Sequence, residues 1–263
     1  MMKKSAVLFA AGLSLLAMSS ASARDWSQIR VAVEGAYPPF SSTTESGEVT
    51  GFDIDIANAL CEQMQAKCEL VSQDWDGMIP GLLARKFDAI IASMSITEER
   101  KRKVDFTSKY YQIPAIFVGA KGTDFTLSPE GLDGKTVGVQ RATTHDKYIS
   151  DNFGDNVDIK RYGSQDEAYL DLSAGRLDLL LVNELAVRQG FLDLDAGKDF
   201  TQVGEPVTDP RWYGEGVGIA VRKQDKALRQ KLNEAIKAIR ANGRYQEIND
   251  SYFPVDIFGP ELP

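Results

Sequence analysis

Short apolar segments alternate with amphipathic ones along most of this chain, and the whole alternation occurs twice. In the first block IRVAV (29–33), CELV (68–71) and DAIIA (88–92) have the length and apolarity of strands. Between them FDIDIANALCEQMQAK sets Phe52, Ile56, Leu60 and Met64 four residues apart, on one helix face. WDGMIPGLLARK puts Trp75, Met78, Ile79, Leu82 and Leu83 on one stripe despite Pro80, and SITEERKRK opens a helix with Thr97 as N-cap and Glu98 and Glu99 favourable to its dipole. The second block repeats the pattern. KTVGVQ, VDIKRY and LDLLLV read as strands, and TTHDKYISDNF, SQDEAYLDLSAG and NELAVRQGFL as helices. Ser164 and Glu167 have capping-box spacing, with Gly175 as the stop. A tail adds the strand GVGIAVR and a helix striped by Leu228, Leu232, Ile236 and Ile239, ending at Gly243.

Such alternation means an α/β fold with mostly parallel sheets. Two blocks imply two lobes. SKYYQIPAIFVGAKG would cross to the second lobe and EPVTDPRWYGEGVG would return. The expected division is a leader over 1–23, a first lobe of 24–112 with 214–263, and a second lobe of 113–213 that includes the hinge segments. Open α/β sheets take ligands at the carboxyl ends of their strands, and a cleft between lobes is the usual small-molecule site. The strand in DLLLVNEL ends abruptly on Asn183 and Glu184, either as a helix cap or as part of such a site.

The first 23 residues read as a secretory signal peptide: Lys3 and Lys4, then AVLFAAGLSLLAM, then Ala21-Ser22-Ala23 as a cleavage site. The apolar run, about 13 residues, is short of the roughly 20 needed to span a bilayer. No cysteine sits just after the leader, so a lipid anchor is not expected, and the mature chain is expected in the periplasm. Losing Lys3 and Lys4 takes the formal net charge from −8 to −10, which argues against nucleic acid as a partner but not against a small cation. With 43% hydrophobic residues there is material for a sizeable core.

Cys61 and Cys68 are the two cysteines, and in an oxidising compartment they are expected to pair. In a continuous helix their Cα atoms would stand about 10.5 Å apart, beyond the roughly 7 Å limit for a disulfide. If they pair, the helix must end between them. Two Cys and a distant His145 do not suggest a metal site, and no cofactor is expected.

At GFDIDIANALCEQM, DWDGMIPGLLARKFDAIIASMSITEERKRKVDFTSKYY and AGRLDLLL the chain resembles the polar amino-acid-binding proteins of ABC importers. Within that family it is most similar to the branch that takes lysine, arginine, ornithine, histidine or opines, and the resemblance runs from Arg30 to Gly259. It implies the type II periplasmic-binding fold, with two α/β lobes on two hinge strands closing over a ligand. It also implies the Cys61–Cys68 disulfide. Arg100 falls at the family's carboxylate anchor, where a guanidinium fork matches a carboxylate. Backbone N–H groups near Ser95 and Thr144 assist it. Tyr37 and Trp75 fall at the aromatic pair that sandwiches the ligand, although Trp75 also reads as a core aromatic beside its stripe. Glu34 falls where the branch keeps a carboxylate for the distal cation. Ser93 and Ser95 match hydroxyl positions. Gln140 and His145 lie toward the second lobe, with solvent exposure an equal reading for His145. Asp53 adds negative potential or serves as a helix cap.

Two positions depart from the amino-acid binders. Ala92 replaces a serine, and Asn183 replaces the carboxylate that receives the ligand's α-ammonium. Opine-binding relatives resemble this chain at both. An amide oxygen accepts one hydrogen bond from an ammonium but brings no charge, so a free α-amino acid should bind more weakly unless Glu34 or Glu184 compensates. The expectation is a monomeric, non-enzymatic solute-binding protein handing a cationic amino acid or derivative to an ABC permease. The alternatives are a sensor that presents its closed form to a membrane receptor, or a dehydratase-like enzyme with Glu34 or His145 as acid or base.

Overall fold

The computed structural model describes residues 24–260, so the leader lies outside the described residues. The chain opens with β1 (Gln28–Val33) and then forms a small sheet of β2 (Ala36–Tyr37), β3 (Ser41–Thr43) and β4 (Val49–Thr50). Next come α1 (Phe52–Gln63), β5 (Lys67–Ser72), a 3-10 turn at Trp75–Gly77, α2 (Met78–Leu83), β6 (Ala89–Ile90), α3 (Glu98–Lys101) and β7 (Asp105–Tyr111). The second block holds β8 (Ala115–Ala120), β9 (Thr136–Gln140), α4 (Thr144–Phe153), β10 (Asp158–Tyr162), α5 (Gln165–Ser173), β11 (Leu179–Asn183), α6 (Glu184–Val187) and β12 (Phe200–Val207). Through α7 (Pro210–Tyr213) the chain reaches β13 (Val217–Val221), α8 (Lys226–Ala241) and α9 (Arg244–Tyr252).

Two five-stranded sheets result, ordered β5-β1-β6-β13-β7 and β10-β9-β11-β8-β12. In each, four of the five strands run in one direction and one runs against them, so the sheets are mostly parallel with a single reversed strand. β13 pairs antiparallel with β6 and β7, and β8 antiparallel with β11 and β12. β8 and β13 are the strands that follow the two crossings. No crossover helix precedes them, so nothing obliges them to run parallel.

The helical stripes behave as their spacing requires. Phe52, Ile56 and Leu60 of α1 share one core with Leu228, Leu232, Ile236 and Ile239 of α8. In α2 Met78 and Leu82 are buried, but Leu83 is 49% exposed and leaves the stripe, because the helix starts only at Met78 and is short. Pro80 is tolerated in its first turn, where the missing N–H would have no acceptor. Thr97 caps α3, and Ser164 and Glu167 complete both halves of their capping box. α1 ends before the turn at Gln65 (φ +53°), which brings Cys61 and Cys68 into a disulfide with Cα atoms 6.1 Å apart.

Asp88, beside β6, is the ionic anchor of the first lobe. Its carboxylate and the Arg222 guanidinium are both about 1% exposed and 2.9 Å apart, and Arg30 and Arg24 approach to 3.2 and 3.1 Å. Arg222 also donates to the carbonyls of Leu82 and Phe87. Burial alone would raise the Asp88 pKa, but hydrogen bonds from Arg30 and Arg222, with the Arg24 charge, hold it at about 2. The stability this lends is complete above the ordinary value of 3.8 and disappears as the pH falls from there toward 2. Asp88→Asn leaves Arg222 short of its deepest counter-charge, so urea unfolding should show a loss of about 3–5 kcal/mol. It should also show a shallower acid transition between pH 4 and 2.

Candidate functional site

One pocket lies where the carboxyl ends of the two sheets face each other. Glu34 follows β1, Trp75 follows β5, and Ser93 and Ser95 follow β6. Gln140 ends β9, Thr144 opens α4, and Asn183 ends β11. With Tyr37 and Arg100, all nine residues singled out from the sequence line this pocket. So do Ala92 and His145, together with Ile113, Thr143, Tyr213 and Val217, which the sequence did not single out. Charged and polar side chains from both sheets converge on this one narrow pocket. Ile113 and Tyr213 come from the two crossings, and Val217 begins β13. An isolated aliphatic or tyrosine in an irregular segment carries no periodic signal, so nothing in the sequence marked them.

Arg100 is set by its helix start. Thr97 accepts from the Arg100 N–H, and Arg100 Nη1 donates to the Ser95 carbonyl at 3.0 Å. Its guanidinium carbon stands 5.3 Å from the centre of the Trp75 ring. Among the described residues it has no ion-pair partner. Burial lowers its pKa to about 10, against a rise from Glu99, and it remains a cation. Ser95 bridges Val217 through flanking bonds, Ile96 N–H to Gly216 O and Gly218 N–H to Met94 O. The N–H and C=O of Ser95 itself therefore point away from that bridge. Thr144 is the first residue of α4, and its N–H has no acceptor within the helix.

Trp75 is both packed in the core and part of the pocket wall. It is 8% exposed, packs with Met78, Leu82 and Met94, and still lines the pocket. Its indole N–H donates to the Ala142 carbonyl across the cleft at 3.2 Å. Gln140 Nε2 donates to Glu34 at 2.6 Å, Arg141 meets Asp76 at 2.6 Å, and Lys147 stands 3.9 Å from Glu99. The two lobes are thus closed on each other. His145 is not solvent-exposed. Burial, and then the Arg100 charge, lower its pKa to about 3, so it is neutral at pH 7.

Asn183 differs from expectation at the level of one atom. It caps α6, and its Oδ1 accepts from the N–H groups of Leu185 (3.0 Å) and Ala186 (3.2 Å). Two donors fix the amide orientation, since the opposite one would set NH2 against them. The side of Asn183 left for the pocket is Nδ2, a donor. The amide oxygen assigned above to a ligand ammonium is occupied by the helix.

Asp53 is also clarified. Gly51 is the N-cap of α1, and Asp53 lies fully buried in the first turn behind the pocket. It accepts from Ser93 Oγ at 2.9 Å and Tyr110 OH at 2.8 Å. Burial raises its pKa to about 7 despite these bonds. Glu34 is likewise raised to about 7 by burial, against the Gln140 bond and with help from Asp166, Asp53 and Asp74. For an acid raised in this way, the cost of ionisation is absent below its ordinary value, 4.5 for Glu34, and grows until the pH reaches about 7. Ligand-free protein should therefore lose stability as the pH rises from 4.5 to 7. Glu34→Gln should remove Glu34's share of that slope in melting curves, leaving the share due to Asp53.

Residues 29–255 match the bacterial extracellular solute-binding proteins, family 3. The chain is 49% identical to the L-arginine-binding protein of Pseudomonas aeruginosa, covering 98% of this chain and 99% of the relative. It is 39% identical to the lysine/arginine/ornithine-binding periplasmic protein of Escherichia coli, covering 98% and 100%. Its fold superposes, at a TM-score of 0.79 and 34% identity, on a Salmonella typhimurium periplasmic binding protein described for high arginine specificity, covering 86% and 99%. These relatives are named as binding proteins. No helix among the described residues is long and apolar enough to cross a membrane. The likeness runs over nearly the whole chain, which belongs to the family 3 bacterial extracellular solute-binding proteins.

Proposed function

We propose that this protein captures a cationic amino acid, or an N-substituted derivative of one, in the periplasm and delivers it to an ABC permease. It acts as a monomer and performs no chemistry on the ligand. The observation that carries the reading is a pair of opposite charges in one closed pocket. Among the described residues Arg100 has no carboxylate partner, and the side chain of Glu34 is held only by a neutral amide. A molecule with a carboxylate at one end and a cation at the other answers both. The carboxylate takes the Arg100 fork and the N–H groups of Ser95 and Thr144. The distal cation takes Glu34, with Tyr37 and Trp75 along its stem. The moving units are 24–112 with 214–263 against 113–213. Ligand held by both favours the closed form.

Thermal-shift screening against basic amino acids and opines tests this, because a bound ligand raises the melting temperature by mass action. The ligands should be recovered unchanged. Arg100→Ala should abolish detectable binding, and an affinity within threefold of wild type by calorimetry would overturn the assignment.

Residue 183 sets the kind of amine. An aspartate there would still cap α6 with one oxygen and turn the other, a charged acceptor, toward the pocket. Hydrogen bonds to charged groups contribute about 1.5–3 kcal/mol, neutral ones about 1. Asn183→Asp should therefore shift preference toward free arginine, lysine or ornithine over N-substituted ligands. Competitive calorimetry checks this, and an unchanged or reversed preference contradicts it.

A further inference from the structure

An α-ammonium next to the ligand's carboxylate needs an acceptor, and Asn183 offers only Nδ2 on the pocket side. Ser93 lies two residues before Ser95, whose carbonyl holds Arg100. Ser93, Ser95 and Arg100 line the same pocket, so the Ser93 hydroxyl is open to a group carried beside a carboxylate bound at Arg100. The Ser93 hydroxyl has one hydrogen, and it is donated to Asp53 Oδ2 at 2.9 Å. With that hydrogen committed, the oxygen turns only lone pairs toward the pocket. A hydroxyl that donates to a carboxylate is also a stronger acceptor than a free one, because bonds in a chain polarise one another.

Asp53 itself is fully buried and does not line the pocket. Its second oxygen accepts from the hydroxyl of Tyr110, which is equally buried. No cation pairs with it among the described residues. The Ser93 backbone is in the left-handed region, φ +55°, where a non-glycine residue is uncommon and needs surrounding structure to hold it. The Asp53 bond is one such restraint. A buried carboxylate, a strained serine and a pocket wall thus lie in sequence.

We infer that Asp53 is a positioning residue for ligand recognition: through its hydrogen bond it fixes Ser93 as a pure acceptor and supplies, one bond removed, the negative charge that balances the ligand's α-ammonium. This rests on the proposed capture of a cationic amino acid. It explains how such a ligand is held while residue 183 carries no charge. The Asp53–Ser93 pair stands in for the carboxylate missing from the end of β11.

The test compares two ligands that differ only in the α-ammonium, L-arginine and 5-guanidinopentanoate. Calorimetry at pH 8 is run on wild type, Asp53→Asn and Ser93→Ala, each first shown by its melting curve to be folded. Arginine should bind at least tenfold more weakly to both variants, while 5-guanidinopentanoate stays within twofold of its wild-type affinity. A merely structural role would weaken both ligands alike, and that result overturns the inference. So does an Asp53→Asn variant that binds arginine as wild type does. If wild type binds neither arginine nor another basic amino acid or derivative, the proposed function fails and this inference with it. Wild-type binding with no selective loss in the variants overturns the inference alone.

Discussion

The chain returns from the second sheet into the middle of the first, and the site depends on that return. β13 enters between β6 and β7, so the first sheet is complete only after the whole second lobe has been traversed. The segment just before β13 is pressed against the loop that carries the anion-facing groups. Ile96 N–H donates to the Gly216 carbonyl, and a Cβ on Gly214 (φ +66°) would collide with the Ile96 carbonyl oxygen. Only glycine allows that approach. One end of the pocket is therefore built from the hinge itself: Ser95 bridges Val217, and Arg100 leans on Ser95. The strand that completes the first sheet and the surroundings of Arg100 are therefore one packed unit.

Two kinds of buried carboxylate coexist in the first lobe, and their opposite shifts separate architecture from recognition. Asp88 is enclosed by Arg222, Arg30 and Arg24 and is held at about 2. Asp53 and Glu34 are as cut off from bulk water but meet only neutral donors, and burial lifts both to about 7. The first arrangement is finished, because the carboxylate already has its cations within the fold. The second is incomplete in the physical sense that ionisation there carries a desolvation cost that a nearby cation would relieve. Arg100 is the mirror case, a desolvated cation without an anion.

Much of this architecture was legible because it rests on local rules. Four-residue spacing placed the α1 and α8 faces, capping chemistry placed the starts of α3 and α5, and the cysteine spacing required α1 to stop where it does. The nine candidate site residues were legible for a different reason, a resemblance carried by segments such as SMSITEER. What stayed hidden is non-local. Strand direction in β8 and β13 is decided by the crossings, not by their own sequences. Ile113, Tyr213 and Val217 reach the pocket because the hinges run beside it. The orientation of the Asn183 amide depends on the helix after it, and the partner of Asp53 lies 40 residues away at Ser93.

Asn183 shows how a fold can leave one atom free to set specificity. A strand that ends at the cleft and runs straight into a helix needs an acceptor for the first N–H groups of that helix. A short side chain at the junction is the economical way to supply one. Asparagine and aspartate do this equally well, so the fold constrains one of the two terminal atoms and is indifferent to the other. The second atom is the one the pocket meets. In this chain it is a nitrogen, which donates and carries no charge. The opposite wall answers with an acceptor backed by a carboxylate. In the proposed reading, recognition of an amine moves from the second lobe to the first, where the α1 first turn, β7 and the loop after β6 converge on Asp53.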